Sequence, residues 1–249
     1  MKTKIFVLIT FIYAITGFSQ YLPSGYKYVY QEEFNAGNNW TTGNNKTRSL
    51  STRNGKYYFN HKRNSDNWYV TTRSIYLDFS KDFELITSIQ KISGIQDRGI
   101  CFQYDYLDSN NYREFAFTGN GYFRVAESKN STYKNLKGWT KNSSVKSGNY
   151  ATNILKVRKT GNKIYFYMNG NQVYSMTHER FMGKKMAIRI YRKQQIAVDY
   201  IRASQRSSST NNNSYTNKDN HQTKETILFD GYTDNKNNWS VSNNENVEL

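Results

Sequence analysis

Asn153-Ile-Leu-Lys-Val-Arg-Lys-Thr160-Gly-Asn-Lys163-Ile-Tyr-Phe-Tyr-Met168-Asn-Gly170-Asn-Gln-Val-Tyr-Ser-Met176 decides the fold class. Leu155 and Val157 alternate with Lys156 and Arg158, and Ile164, Phe166 and Met168 alternate with Tyr165 and Tyr167. That period of two belongs to a half-buried strand. Thr160-Gly-Asn162 and Asn169-Gly170 separate the runs, and Asn-Gly between apolar runs is a strong hairpin signal because both residues tolerate positive φ. Asn153–Lys159, Lys163–Met168 and Gln172–Met176 therefore read as an antiparallel meander.

Outward from this stretch the same alternation predicts strands at Tyr26–Phe34, Asp66–Thr72, Asp82–Ile92, Gly99–Asp105, Tyr112–Thr118, Gly121–Glu127, Met186–Tyr191 and Gln195–Ala203. Asn54-Gly55 and Thr118-Gly-Asn-Gly121 are further turns, and no window carries a helical stripe beyond a short turn near Thr177–Met182. Many short antiparallel strands at this spacing make the chain all-β, a two-sheet sandwich or barrel.

The composition narrows the class. Aromatic residues make up 16% of the 249, too many for a disordered chain. A mean hydropathy of −0.86 with one apolar run excludes a multi-span membrane protein. Cys101 is the sole cysteine, so neither an intramolecular disulfide nor a cysteine zinc site is available. His61 and His178 read as solvated loop residues. Lys2 and Lys4 precede an apolar stretch, Ile5–Phe18, and Gly17 and Ser19 are small residues at the −3 and −1 positions, the pattern of a bacterial secretory signal over residues 1–19. The mature chain is then exported, secreted, periplasmic or at the cell surface, with no transmembrane span. Residues 20–203 read as one sandwich domain and 204–225 as a flexible Ser/Asn-rich linker. Ile227-Leu-Phe-Asp-Gly-Tyr ending in Asn238-Trp239 echoes Val29-Tyr-Gln-Glu-Glu-Phe34 ending in Asn39-Trp40, so 226–249 reads as the truncated start of a second copy.

Several of these segments carry a family resemblance. Tyr30-Gln-Glu-Glu33-Phe34-Asn35 with Trp40 resembles the opening strand of concanavalin A-like (laminin-G-like) jelly rolls of secreted bacterial proteins. Asp97-Arg-Gly-Ile-Cys-Phe102, Asn111-Tyr-Arg-Glu-Phe115, Ile164-Tyr-Phe-Tyr-Met-Asn-Gly170 and Val198-Asp-Tyr-Ile201 follow in the expected order. The resemblance covers about Tyr26–Ala203. It is similar to laminarinase-type glycosidases, to the 3-keto-disaccharide hydrolase family and to non-catalytic carbohydrate-binding domains. It implies an antiparallel two-sheet jelly roll. It also implies a structural calcium between the opening and closing strands, with Glu33 and Asp199 at the matching positions; no other cofactor is expected.

A retaining glycosidase needs two carboxyls about 5–5.5 Å apart. On a strand this requires acidic residues at alternate positions, and no such run occurs: Glu32-Glu33 are adjacent and Glu114 stands alone on its strand. The expectation is therefore an exported, non-catalytic carbohydrate-binding module, with a hydrolase of the same fold or a protein–protein adhesion module as alternatives. Alternation places Gln103, Glu114, Arg189 and Tyr191 on the face opposite the apolar set, with Gln90 as a further hydroxyl partner. Trp139, in the Gly-rich loop Lys137-Gly-Trp-Thr-Lys141, is the expected exposed platform. As solvated floor residues, Arg189 and Glu114 should tolerate Arg189→Ala and Glu114→Gln with little change in melting. The 35 Lys+Arg against 19 Asp+Glu, net +16, favour an acidic polysaccharide. Nucleic acid is not expected, because the chain is exported and holds no nucleic-acid module.

Overall fold

The computed structural model describes residues 22–35, 40–65, 67–72 and 74–207. The expected signal segment, the second-copy segment and the linker beyond residue 207 lie outside the described residues. Among the described residues fifteen strands follow one another: β1 (Tyr26–Glu32), β2 (Gly43–Asn44), β3 (Arg48–Arg53), β4 (Lys56–His61), β5 (Asn67–Thr71), β6 (Phe83–Gly94), β7 (Ile100–Tyr106), β8 (Tyr112–Phe117), β9 (Tyr122–Lys129), β10 (Thr132–Lys141), β11 (Thr152–Thr160), β12 (Lys163–Met168), β13 (Asn171–Thr177), β14 (Lys185–Tyr191) and β15 (Gln194–Arg206). No described helix is long and apolar enough to cross a membrane.

The strands form two antiparallel sheets. The first has nine strands in the order β13-β12-β11-β6-β15-β4-β3-β2, with β1 also on β15; the second runs β10-β9-β8-β7-β14-β5. Chain neighbours such as β6 and β7 lie in different sheets, as a jelly-roll crossover requires. Phe83, Leu85, Ile89, Val157, Phe166 and Val198 face Ile100, Phe102, Phe115, Phe117, Val125 and Ile188 across the core, and all are fully buried. Phe166 of β12 meets Tyr104 and Phe115 of the opposite sheet edge-on, at 5.6 and 5.4 Å between ring centroids. The fold is the expected all-β sandwich of two antiparallel sheets.

Asn54-Gly55 and Asn169-Gly170 both adopt positive φ, 52° and 66° in the first pair, 51° and 88° in the second. The turn chemistry of the sequence is thus realised. The β3–β4 hairpin around Asn54-Gly55 was not expected as strands, since Arg48-Ser-Leu-Ser-Thr-Arg53 offers one apolar residue. The edge strand β10 is mostly exposed and lysine-rich, a composition that blunts a sheet edge and hides the period of two. Trp139 accordingly sits on a strand rather than in a loop. His61 closes β4 and is fully buried, not solvated.

The expected domain boundary at Ala203 shifts as well. β15 continues to Arg206, where Tyr26 pairs with Arg206 and Gln205 pairs with Phe83. Gln205 Oε1 accepts from the Asp78 amide at 3.0 Å, and the Arg206 and Ser207 amides donate to Asp82 and Gly25 at 2.8 and 2.7 Å. At about 0.5–1.5 kcal/mol per hydrogen bond, a chain ending at Ala203 should lose about 1.5–4.5 kcal/mol against one ending at Ser207, read by urea unfolding of the two.

Lys91 of β6 is fully buried, and its ammonium donates to the carbonyls of Ser93 and Ile95 at 3.0 Å each, and to Gly94 and Gln194 Oε1 at 3.3 Å each. It clamps the turn that leads into Asp97–Gly99. Burial lowers its pKa from 10.5 to about 8. Between those values the unfolded chain binds more protons than the folded one, so stability contributed at this position rises with pH across that window. Relative to Lys91→Met, the parent should gain stability from about pH 8 to 10 in urea titrations; a parent-minus-variant stability difference that stays flat or falls with pH would contradict this.

Candidate functional site

The outer face of the second sheet is a checkerboard of small and large side chains. Strand register sets Arg189, Cys101, Ala116 and Arg124 side by side across β14, β7, β8 and β9. The adjoining row is Ala187, Gln103, Glu114 and Ala126. Small residues leave room for each arginine to lie diagonally over the next row. Arg124 Nη2 donates to Glu114 Oε1 at 2.5 Å. Gln103, with its amide oxygen turned to the guanidinium, accepts from Arg189 Nε and Nη2 at 3.3 and 3.2 Å. Arg189 also stacks on the Tyr112 ring, 4.2 Å from its centroid, and donates to the Tyr191 hydroxyl at 3.4 Å.

Aromatic rings cover this layer. Arg124 lies under Trp139 and Tyr133 of β10, 4.5 and 5.3 Å from the ring centroids. A Cβ on Gly99 would stand 3.5 Å from Trp139 Cη2 and 3.3 Å from Tyr191 Cδ2, so both rings rest against this residue. A cleft of about 370 Å³ remains, lined by Asp97, Arg98, Gly99, Arg124, Tyr133, Trp139 and Tyr191. Trp139 is 40% exposed and Tyr133 42%.

The structure brings part of the expected set together. Gln103, Glu114, Arg189 and Tyr191 do come together, with Trp139 above them. However, Gln103, Glu114 and Arg189 are buried as a supporting layer rather than lying open as a floor. Gln90 is elsewhere: it lies on the first sheet, in register with Thr152 and Ala197, and its amide donates to the Tyr150 carbonyl at 3.0 Å. Arg124, Tyr133, Arg98 and Asp97 are the additions. Arg124 was legible, since it alternates with Phe123 and Val125 on the face of Glu114. Tyr133 was hidden by the polar pattern of its edge strand.

Electrostatics keep the aromatic layer neutral. Burial, with the nearby Glu114 charge adding to it, pushes the Tyr133 and Tyr191 phenols and the Cys101 thiol up from their ordinary values. Cys101 is fully buried and stays a protonated thiol, which is inert. Glu114 Oε2 and Arg124 Nε have no hydrogen-bond partner among the described residues. The pair therefore rests on one short contact in a desolvated setting.

The calcium expectation at Glu33 and Asp199 meets a different arrangement. Both residues line one cleft, with Asn35, Asn54, Gly55, Tyr200 and Arg202. Arg202 Nε and Nη2 donate to the two carboxylate oxygens of Glu33 at 2.5 and 2.7 Å. Lys56 stands 3.8 Å from Asp199. Calcium takes six to eight oxygen ligands, whereas here two cations already face the two carboxylates. The residues present do not fit the ion.

No family model and no curated protein matches the chain. Many solved structures do. Among them are carbohydrate-binding module CBM66 from Bacillus subtilis (10% identity, 71% of this chain and 94% of that one, TM-score 0.44) and Bacillus licheniformis β-glucanase (10%, 70% and 96%, TM-score 0.48). A third is the kappa-carrageenase of Pseudoalteromonas carrageenovora in complex with a carrageenan oligosaccharide (14%, 74% and 97%, TM-score 0.46). These neighbours thus comprise a binding module and two glycan-cleaving enzymes.

Burial revises the mutational expectation. The Glu114 side chain is 0% exposed and Arg124 12%. Removing one partner of a buried pair typically costs about 3–5 kcal/mol, so Glu114→Gln should lower stability by that order in urea unfolding. A loss below about 0.5 kcal/mol, usual for a solvated surface residue, would show that the pair is solvated after all.

Proposed function

We propose that the domain binds an acidic carbohydrate in the cleft between Trp139, Tyr133 and Tyr191, and does not cleave it. The observation that carries this reading is the meeting of three aromatic rings with the Arg98 and Arg124 guanidiniums around one cleft. Sugar rings present apolar C–H faces to aromatic side chains, and guanidinium forks match carboxylate or sulfate groups. Arg98 is partly exposed at the rim, beside Asp97 at 2.8 Å, and reaches a ligand without unmaking the buried layer. Without Lys2 and Lys4 of the signal segment the exported chain keeps 33 − 19 = +14, a charge that draws a polyanion toward that rim.

Glycosidic hydrolysis is the less favoured reading. The cleft lining holds one carboxylate, Asp97, which pairs with Arg98, while the buried Glu114 is tied to Arg124. A nucleophile and an acid aimed at one glycosidic oxygen do not emerge from these two. Export to the cell surface or medium belongs to the same proposal, since acidic polysaccharides of that kind lie outside the cell.

A glycan array comparing neutral and acidic oligosaccharides tests the reading. Acidic glycans should be retained, and titration calorimetry should show affinity falling steeply with salt as exposed charges are screened. Trp139→Ala and Tyr191→Ala should each weaken binding about tenfold or more, the scale of losing about 1.4 kcal/mol of contact. Binding of neutral glucans indifferent to salt, or full affinity in both variants, would overturn it.

A further inference from the structure

Among the described residues, the first sheet contains a joint that no hydrogen-bond ladder closes. One side of β15 is shared end to end: β4 pairs with it as far as Val198–Tyr57, and β1 takes over from Ile201–Glu32. The register with β6 slips between Val198 and Tyr200, which leaves Asp199 in a bulge at the changeover. β1 ends there as well. Glu32 folds back, accepting from the Phe34 amide at 2.6 Å and the Trp40 indole at 2.9 Å. Phe34 is held at a φ of 52°, a strained value for a bulky residue, and is buried between Trp40 and Tyr57. That turn leaves Glu33 facing outward over the joint. Two carboxylates, Glu33 and Asp199, therefore converge where two strand ends and a hairpin tip meet.

We infer that the Arg202 guanidinium is the joint's own cation, doing internally what a bound divalent ion would otherwise do. Its fork engages both oxygens of Glu33, and its plane stacks on Tyr200 at 4.0 Å from the ring centroid. Fork and ring together fix its position. Lys56 answers the Asp199 charge. The cleft lining thus carries two negative side chains and one positive, and Lys56, beside the lining, faces Asp199 as a second cation. A divalent ion entering it would meet a guanidinium on the carboxylate it needs. Bidentate charge-assisted pairs of this kind are the strong ones. The joint is metal-independent as built, and it becomes a divalent-cation site once the guanidinium is removed while Glu33 and Asp199 remain. This inference is independent of the glycan reading.

The test is thermal melting of the full chain in EDTA and in calcium chloride, for the parent, Arg202→Gln and Arg202→Lys. Calcium at about a hundred times the dissociation constant of a native site would raise melting by roughly 5–10 °C. The parent should move by less than about 1 °C between the two buffers. Arg202→Gln should melt lower in EDTA and recover several degrees in calcium. Terbium provides a second readout, because Tyr200 is placed to sensitise its emission: a saturable signal is expected in Arg202→Gln and none in the parent. Arg202→Lys, which keeps the charge, should stay indifferent to calcium. A parent stabilised by calcium, or an Arg202→Gln protein that neither recovers nor lights terbium, would overturn the inference. If Arg202→Gln fails to fold, the parent and Arg202→Lys decide it, and a calcium response in either would overturn it.

Discussion

The short contact between Glu114 and Arg124 governs the outer face of the second sheet. At 2.5 Å, with the carboxylate fully buried, it places a charge pair where water cannot compete. Desolvating two charges is costly, and only close geometry repays it. That geometry depends on Ala116 and Ala126, the small neighbours that let the arginine lie across the sheet. In turn the fixed guanidinium gives Trp139 and Tyr133 a flat cation to stack on. An edge strand that is otherwise polar and exposed is thereby tied down over the face, and the cleft exists because it is.

The two sheets divide the work. The first is organised around β15, whose thirteen residues pair with β6 on one side and with β4 and β1 on the other. It carries two ion-pair clusters, Glu84 with Arg158 and Lys156 and Glu33 with Arg202. The second sheet brings Arg124, Tyr133, Trp139 and Tyr191 together at one cleft. Lys91 links the two, since it springs from the first sheet and clamps the turn before Asp97 and Gly99 on the cleft rim. Rigid rims on rigid strands hold a binding surface better than loops do.

Much of this was legible in the sequence. Alternation sorted Phe102, Phe115 and Ile188 inward and Gln103, Glu114 and Arg189 outward, and the strand order of a jelly roll brought the outward set together. Three things were not legible. Burial of a second face depends on what folds over it, and the roof came from β10, whose Lys and Asn residues carry no period. Gln90 shares its alternation with the site residues, yet alternation cannot say which sheet a strand joins. Arg202 stood in plain view beside Tyr200, but its role depends on the outward turn of Glu33, set by the strained backbone at Phe34. Local pattern fixes faces, whereas pairing across the chain fixes neighbours.

The central claim is that ligand binds against Trp139. Its most direct test is a titration of the ¹⁵N-labelled chain with an acidic oligosaccharide, following the tryptophan indole resonances. Trp40 is a built-in reference, because its indole donates to Glu32 on the other sheet. The Trp139 indole should shift in a saturable way while the Trp40 indole stays still. A glycan that binds and leaves the Trp139 resonance unmoved would contradict the account.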